Sequence, residues 1–267
     1  MPVLTSLYDE WELRPEGSPV VTETATVVPV RTARGDRAVL KVSVPTEANE
    51  HEHLALSHWA GRGAATLLRA DPRRRALLLG RLTGEDLGEA WDVEACEIVG
   101  RLYSRLHVPA FRPLRLLSEE SAAIAVRLAG LPRNAPLPRR MVEQAVSLAR
   151  SFAVDPATDG VVVHTDLHYR NVLLDEQGQW RAISPKPLSG DPHHEPAPML
   201  LQRYDELAGD VRNGLRRRFH ALVDTAGLDE DRARDWAIVR AISQAAAHLD
   251  DRDLVTRAVA VAKAVQD

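Results

Sequence analysis

The stretch His164–Asn171, which reads HTDLHYRN, decides how this sequence is interpreted. It holds an aspartate, Asp166, and an asparagine five residues later, and short apolar runs flank it at 161–163 and 171–174. A carboxylate on such a loop orients an attacking hydroxyl, and an amide oxygen helps to hold Mg²⁺ against phosphates. The stretch therefore indicates phosphoryl transfer.

Strand patterns precede this loop. Residues 20–45 predict a β-hairpin, because β-branched runs flank a turn at Gly35, and Lys41 falls in its second strand. Beyond the hairpin, the spacing predicts a helix that starts at 45–47 and runs through Trp59, and then strands over 64–69 and 75–82.

Helical periodicity dominates from Trp91 onward, and 83–86 reads as a linker. The exception is 160–191, where short apolar runs around the turn 176–178 predict a hairpin. We therefore predict an α+β fold with two lobes, a small β-rich N-terminal lobe over 1–82 and a larger, mostly helical C-terminal lobe over 83–267. The predicted helices cover 91–107, 118–130, 138–153, 196–224, 229–248 and 251–266.

Composition and charge exclude several classes of protein. The 34 basic and 38 acidic residues give a net charge of −4, which provides no field for nucleic acid or an anionic membrane. The single cysteine, Cys96, excludes an internal disulfide and argues against a cysteine-based zinc site. No apolar run approaches about 18 residues, and the first residues do not resemble a secretory signal. We therefore expect a cytoplasmic monomer or weak dimer that binds neither nucleic acid nor membrane.

Lysine is rare in this chain. Of the 34 basic residues only Lys41, Lys186 and Lys263 are lysines, and the other 31 are arginines. Codon bias explains most of this imbalance. Where arginine is the default, however, a remaining lysine can mark a site that needs a compact ammonium on a flexible stem.

Two windows of the sequence resemble a known family. The loop 164–171 is similar to the His-Gly-Asp-x-x-x-x-Asn loop of the aminoglycoside phosphotransferase family, and PKPLSGDP at 185–192 resembles its streptomycin and hydroxyurea phosphotransferase branch. The resemblance implies a protein-kinase-like fold in which lobe 1–82 binds nucleotide and lobe 83–267 holds the catalytic loop and acceptor site. It implies an ATP-dependent O-phosphotransferase with Mg²⁺ as cofactor. The acceptor would be a small hydroxylated molecule such as an aminoglycoside antibiotic or hydroxyurea, which implies a role in antibiotic resistance.

The resemblance assigns roles within the loop. Asp166 would accept the proton of the acceptor hydroxyl or align that hydroxyl, and Asn171 would bind the metal ion. His164 would support the loop backbone, whereas the role of His168 stays open. A turn-capping aspartate and a loop-bracing amide are the alternatives for Asp166 and Asn171.

The resemblance also gives Lys41 a role, because a kinase-like fold places a phosphate-contacting lysine in this strand. That lysine needs a carboxylate from the next helix, for which we prefer Glu52 over Glu50. The adenine would bond to backbone groups where the last strand of the lobe runs into the hinge, at Gly80 and Leu82. A solvent-facing strand residue is the alternative for Lys41.

The sequence departs from the family pattern in two places. The hairpin that would cover the phosphates has threonines at 22, 24 and 26 instead of a glycine-rich loop. Their hydroxyls would contact phosphate, or they would simply reflect strand propensity. In addition, Ser184 takes the position of the Mg²⁺-chelating aspartate in the Ile-Asp-Pro-Lys motif of relatives. Because Mg²⁺ prefers charged oxygen ligands, this serine should weaken metal binding and stabilise the transferring phosphoryl group less.

The serine leaves three outcomes open. Ser184 could bind the metal through water, or Asp191 could become the metal ligand, although Asp191 has a structural role in relatives. The third outcome is a nucleotide- or ligand-binding pseudokinase with little or no turnover.

Acidic residues on the acceptor side would recognise a cationic acceptor. Glu195 and the pair Asp205 and Glu206 are the candidates, although each could be a plain surface charge. Lys186 lies inside the window that resembles the family, where it would face a phosphate or brace the motif by a salt bridge. Lys263 is expected at the surface, and the acids at 229–231 in the first turn of a helix.

Overall fold

The computed structural model describes residues 2–266. Among these residues, no helix combines the length and the apolar character needed to span a membrane. In chain order the helices are α1 (Pro2–Glu10), α2 (Glu52–Trp59), α3 (Asp92–Leu106), α4 (Leu117–Ala129), α5 (Arg139–Val154), α6 (Ala197–Leu201), α7 (Val211–Ala226), α8 (Glu230–Ala247) and α9 (Arg252–Ala264). The strands are β1 (Arg14–Pro15), β2 (Val20–Val21), β3 (Ala25–Arg31), β4 (Arg37–Ser43), β5 (Leu67–Asp71), β6 (Ala76–Gly80), β7 (Val161–Val163), β8 (Val172–Leu174), β9 (Trp180–Ala182) and β10 (Leu188–Gly190).

The chain divides into two compact units. The first unit contains the residues up to Asp86 together with Asn171–Pro187. The second unit contains Leu87–Arg170 and the residues from Leu188 onward. The N-terminal lobe predicted over 1–82 lies within the first unit, which also takes in a later segment of the chain.

The first unit contains a six-stranded antiparallel sheet in the order β1-β3-β4-β6-β5, with β2 paired to β3. The predicted hairpin is confirmed as β3 and β4, in which Val27 lies opposite Lys41. Alternation along these strands buries one face, because successive side chains point to opposite sides of a sheet. On that face Val28 and Leu40 share a core cluster with Leu7 of α1, a helix that is not among the predicted elements.

Helix α2 begins at Glu52, later than the predicted start near Thr46. The residues between form a turn in which the Thr46 hydroxyl accepts the Asn49 amide and the Asn49 side chain accepts the Thr46 amide. Such side-chain bonds give the backbone a partner outside a helix, so the helix starts only after them. Its end at Trp59 agrees with the prediction.

Strands β8 and β9 confirm the predicted hairpin after the loop. Backbone bonds join this hairpin to the rest of the first unit. The Ala65 amide donates to the Ala182 carbonyl at 2.9 Å, and the Thr83 amide donates to the Leu174 carbonyl at 2.9 Å. These bonds explain why the segment Asn171–Pro187 belongs to the first unit.

The second unit is mostly helical, as predicted, but the single helix predicted over 196–224 is wrong. The structure has α6 and α7 there, separated by residues 202–210. Arg203 adopts a φ of 50° and Gly209 a φ of 92°, which no α-helix allows. The guanidinium of Arg203 fixes the break, because it donates to the Ala90 carbonyl at 2.9 Å.

Strand β10 pairs with β7 and leads into Asp191, which is 1% exposed. One of its carboxylate oxygens accepts the His193 amide and lies 2.5 Å from His193 Nδ1, and the other accepts bonds from Arg232 and Trp236 of α8. Burial by itself would raise the pKa of Asp191, but the bonds from His193 and Trp236 outweigh it and hold that pKa below its usual range. The carboxylate therefore fastens the end of β10 to α8.

The substitution Asp191→Asn should lower the free energy of unfolding by about 1.5–3 kcal/mol near pH 7, because it removes the charge that Arg232, Trp236 and His193 bond to and replaces one accepting oxygen with a donor. Urea denaturation measures this difference. The pKa of the folded carboxyl lies below its value in the unfolded chain. Its contribution is therefore complete above about pH 4 and is lost as the pH falls further. The gap between the wild type and the variant should shrink in that range.

Asp229→Asn is the matched control. Asp229 is exposed and caps α8 by accepting the Arg232 amide at 2.8 Å. Asparagine caps a helix as well as aspartate does, so this variant should keep the wild-type stability. Equal stability of both variants would contradict the structural role of Asp191.

Candidate active site

The loop His164–Arg170 follows β7 in the second unit. Leu167 and Tyr169 are buried, and Asp166 is half-buried. The Asp166 amide donates to Nδ1 of His164 at 3.3 Å, so this histidine contacts the loop backbone. The loop thus buries its apolar side chains and leaves the Asp166 side chain partly accessible.

Thr165, immediately before Asp166, has a φ of 63°. A β-branched residue in this left-handed region is a conformational outlier, and the conformation costs roughly 1–2 kcal/mol. Its amide donates to Oε1 of Glu195 at 2.7 Å, and its carbonyl accepts a bond from Arg240 at 2.7 Å. Side chains outside the loop therefore hold the Thr165 backbone on both sides.

Glu195 lies beneath this loop and is 1% exposed. Burial raises the pKa of its carboxyl to about 7, against the opposing effects of the Thr165 amide and Arg240. The Glu195 carbonyl also accepts the Tyr103 hydroxyl at 3.0 Å. This burial does not fit the prediction that Glu195 contacts the acceptor, because the side chain is shielded from solvent and its Oε1 is bonded to the loop backbone.

Tyr169 anchors the far end of the loop to the helices of the second unit. Its hydroxyl donates to Asp92 at 3.2 Å, and the Arg203 guanidinium lies 4.7 Å from its ring centroid. The fully buried Arg218 donates to the same Asp92 carboxylate at 2.5 Å. These two arginines could not be recognised from the sequence, because in a chain with 31 arginines no single arginine stands out as functional.

In the first unit, Lys41 of β4 pairs with Glu52 at the start of α2. The Nζ of Lys41 lies 2.7 Å from Oε1 of Glu52, and the two side chains are 12% and 4% exposed. Glu50 is exposed and lies 3.8 Å from Arg75 instead. The Lys41 ammonium also donates to Oγ of Ser184 at 3.1 Å.

Ser184 follows β9 and has a φ of 55°. The Ile183 amide donates to the Asn171 carbonyl at 2.9 Å, so the β8–β9 hairpin brings residues 171 and 184 close to each other. Both residues are half-buried. Their side chains offer neutral oxygens, and no group of three or more His, Cys, Asp or Glu residues among residues 2–266 has the arrangement of a metal site.

Asp191 does not fit the alternative in which it becomes a metal ligand. Both of its oxygens already accept bonds from buried or half-buried donors. A metal ion would have to displace Arg232 and Trp236, which fasten this carboxylate to α8. Asp191 therefore does not supply the metal-binding carboxylate that Ser184 lacks.

The remaining candidates of the nucleotide side lie at the end of β6, just after it, and in the turn between β2 and β3. Gly80 donates its amide to the Thr66 carbonyl at 2.9 Å, and Leu82 is half-buried. The Thr22 hydroxyl lies 3.1 Å from the Ala25 carbonyl and also accepts the Ala25 amide, so it braces the turn.

The remaining charged candidates are exposed. Asp205 is exposed, whereas its neighbour Glu206 is held by the Arg203 guanidinium at 2.6 and 2.7 Å. Lys186 is exposed, and Lys263 is exposed on α9, as predicted.

Comparison with known proteins identifies the family. Its sequence profile, described as aminoglycoside/hydroxyurea antibiotic resistance kinase, matches residues 10–252. The streptomycin 6-kinase of Streptomyces glaucescens is 35% identical over 259 residues, which cover 93% of this chain and 83% of that protein. The hydroxyurea phosphotransferase of Kitasatospora aureofaciens is 36% identical over 272 residues, which cover 97% of this chain and 77% of that protein.

Solved structures confirm the predicted α+β, kinase-like fold. A thermostable mutant of an aminoglycoside phosphotransferase, in a ternary complex with ADP and hygromycin B, matches with a TM-score of 0.65 and 15% identity over 100% of this chain and 98% of its own. A choline kinase from Streptococcus pneumoniae matches with a TM-score of 0.64 and 12% identity over 100% of this chain and 99% of its own. At such low identity these matches show the fold alone.

The relatives also bear on the pseudokinase alternative. Both of the sequence relatives above are named as enzymes that transfer phosphate, which favours an active phosphotransferase over a binding-only protein. Because the profile spans most of the chain and the relatives align with nearly all of it, the chain belongs to the aminoglycoside/hydroxyurea antibiotic resistance kinase family.

Proposed function

We propose that this protein transfers the γ-phosphoryl group of ATP to a hydroxyl of a small molecule, of the class represented by streptomycin and hydroxyurea. The observation that carries the proposal is the nearly buried ion pair of Lys41 and Glu52. Such pairs contribute little to stability compared with apolar residues in their place. An ammonium held in this way by a helix glutamate instead serves kinases as a contact to the phosphates of ATP.

Each unit has its own part in this function. The first unit would hold the nucleotide through Lys41 and through the backbone at Leu82, whereas the Gly80 amide is already bonded to the Thr66 carbonyl. In the second unit Asp166 would align the acceptor hydroxyl and take its proton, a task for which its partly accessible carboxylate is suited. Asp205 would attract a cationic acceptor, because its negatively charged carboxylate is exposed.

The residues of the first unit fit a Mg²⁺ ion that would bind mainly through the phosphates of the nucleotide. Asn171 and Ser184 supply two neutral oxygens, and Mg²⁺ commonly keeps waters and binds through substrate phosphates as well as protein. When bound, the ion would neutralise part of the charge on the phosphates. Ser184 has a second role, because by accepting the Lys41 ammonium it helps Glu52 to fix the direction of that lysine.

Asp166→Ala should lower the rate of transfer by about 10²–10⁴-fold, the usual contribution of a positioned acid or base. The affinity for ATP should stay unchanged, because Asp166 acts on the acceptor. Release of ADP, measured with streptomycin and hydroxyurea in parallel as acceptors, tests the rate, and calorimetry tests the affinity.

The exposed Asp224→Ala on α7 is the control and should keep full activity. A fully active Asp166→Ala enzyme would overturn the assigned role. A wild type that binds ATP but transfers phosphate to no hydroxylated acceptor would overturn the proposed function itself.

Ser184→Asp should make nucleotide binding depend more strongly on Mg²⁺. The ratio of Kd values without and with the ion should rise about tenfold or more, as expected for a contact with a charged group worth about 1.5–3 kcal/mol. Aspartate adopts the left-handed region more readily than most residues, so a φ of 55° should accept it. Calorimetry with a non-hydrolysable ATP analogue measures the ratio without turnover.

Ser184→Asn is the matched control, since it has the size of aspartate and tolerates the same backbone conformation but carries no charge. It should leave the ratio near the wild-type value. Equal ratios for the two variants would show that position 184 does not act on the metal ion.

A further inference from the structure

Thr165 has a backbone conformation that its own chemistry disfavours. Its φ of 63° is natural for glycine, which the family's loop carries at this position, but a β-branched side chain resists it. The residue also directly precedes Asp166, so a change in its backbone would swing the Asp166 carboxylate. The loop therefore needs support from outside to keep this geometry.

Arg240 of α8 supplies such support from one side. Its Nη2 donates to the Thr165 carbonyl at 2.7 Å, and its Nη1 donates to the His194 carbonyl at 3.1 Å. The first bond reaches the loop, and the second reaches the residue just before Glu195. One guanidinium therefore ties the loop to the segment whose carboxylate holds the Thr165 amide.

Burial makes the surroundings of the Arg240 guanidinium unfavourable for a charge, which indicates that this arginine has a functional role. Burial lowers the pKa of Arg240, and the carboxylates of Glu195 and Asp166 oppose that effect. The negative charges of Glu195 and Asp166 thus offset part of the cost of burying this cation, while its guanidinium donates to the backbone carbonyls of Thr165 and His194.

We propose that Arg240 is a positioning residue, which holds Thr165 in its left-handed conformation and thereby sets the position of Asp166. This inference rests on the proposed function of Asp166. Arginine suits the task because its planar fork serves two carbonyls at once, whereas lysine has a single nitrogen. Glu195 holds the amide of the same residue, so the two side chains act on opposite ends of one strained residue.

Arg240→Met should lower kcat by about 10²-fold, the loss that follows from a misplacement of about 1 Å. KM for ATP should stay unchanged, because Arg240 donates to the loop and not to the nucleotide side. Arg240→Lys should recover part of kcat, since one of the two bonds can form again. A merely structural arginine would instead lower the yield of folded enzyme and leave kcat per folded molecule unchanged.

Arg234→Met is the matched control on the same helix. Arg234 also donates to a backbone carbonyl, that of Val265 at 2.7 Å, and its side chain is 27% exposed. This variant loses a comparable bond, together with ion pairs to Glu230 and Asp231, at a site distant from the loop in sequence, and should keep the wild-type kcat. Equal kcat values for Arg240→Met and Arg234→Met would overturn the proposal.

Thr165→Gly gives a second test. Glycine adopts the left-handed region without support, so the loss caused by Arg240→Met should be smaller in the Thr165→Gly background than in the wild type. Additive effects of the two substitutions would show that Arg240 does not act through Thr165.

Hydrogen exchange separates this proposal from the proposed function. Arg240→Met should speed exchange of the loop amides at 164–170 beyond any effect of Arg234→Met, whether or not the enzyme turns over. Unchanged exchange would overturn the positioning role. If the wild type transfers no phosphate although Arg240→Met loosens the loop, the proposed function fails while the contact between Arg240 and the loop stands.

Discussion

The bond between the Thr165 amide and the Glu195 carboxylate is the interaction on which the second unit's site depends. It joins a strained loop to a buried acid, and each supplies the other with a hydrogen-bond partner. The carboxylate needs a donor because it is buried, and the amide needs an acceptor because its residue has left the usual backbone regions. Because Asp166 directly follows Thr165, this bond also restricts the location of Asp166.

The surrounding elements make that bond possible. Pairing of β7 with β10 places Leu188 beside Val163, where the loop begins, and β10 then leads into Asp191 beyond the other end of β7. The Asp191 carboxylate then fixes the end of β10 to α8 through Arg232 and Trp236. Glu195 lies four residues after Asp191 in the sequence, so the attachment of Asp191 to α8 also restricts where Glu195 can lie. The carboxylates of Asp191 and Glu195 therefore hold the framework, whereas that of Asp166 stays partly accessible.

The sequence allowed the fold class, the hairpin of β3 and β4 and the pattern of most helices to be predicted, because apolar periodicity reports directly on burial. The position of Lys41 in β4 followed from the same register. The burial of Glu195 could not be predicted, since an acid in a polar segment looks like surface. Nor could the break before α7, which depends on backbone conformations at Arg203 and Gly209 that are fixed by tertiary contacts. The late start of α2 likewise reflects local side-chain bonds that compete with the helix.

The division of the chain has a consequence for its synthesis. The hairpin β8–β9 belongs to the first unit, and its bonds to Ala65 and Thr83 complete that unit's backbone pairing. Domains tend to fold from the N-terminus as they leave the ribosome. All strands of the six-stranded sheet lie before residue 81, but the hairpin that bonds to Ala65 and Thr83 is made much later. The whole first portion of the second unit, Leu87–Arg170, is translated in between. Until then the amides of Ala65 and Thr83 lack their final acceptors, so a chain that stalls before the hairpin would carry a paired sheet with these two amides still unsatisfied.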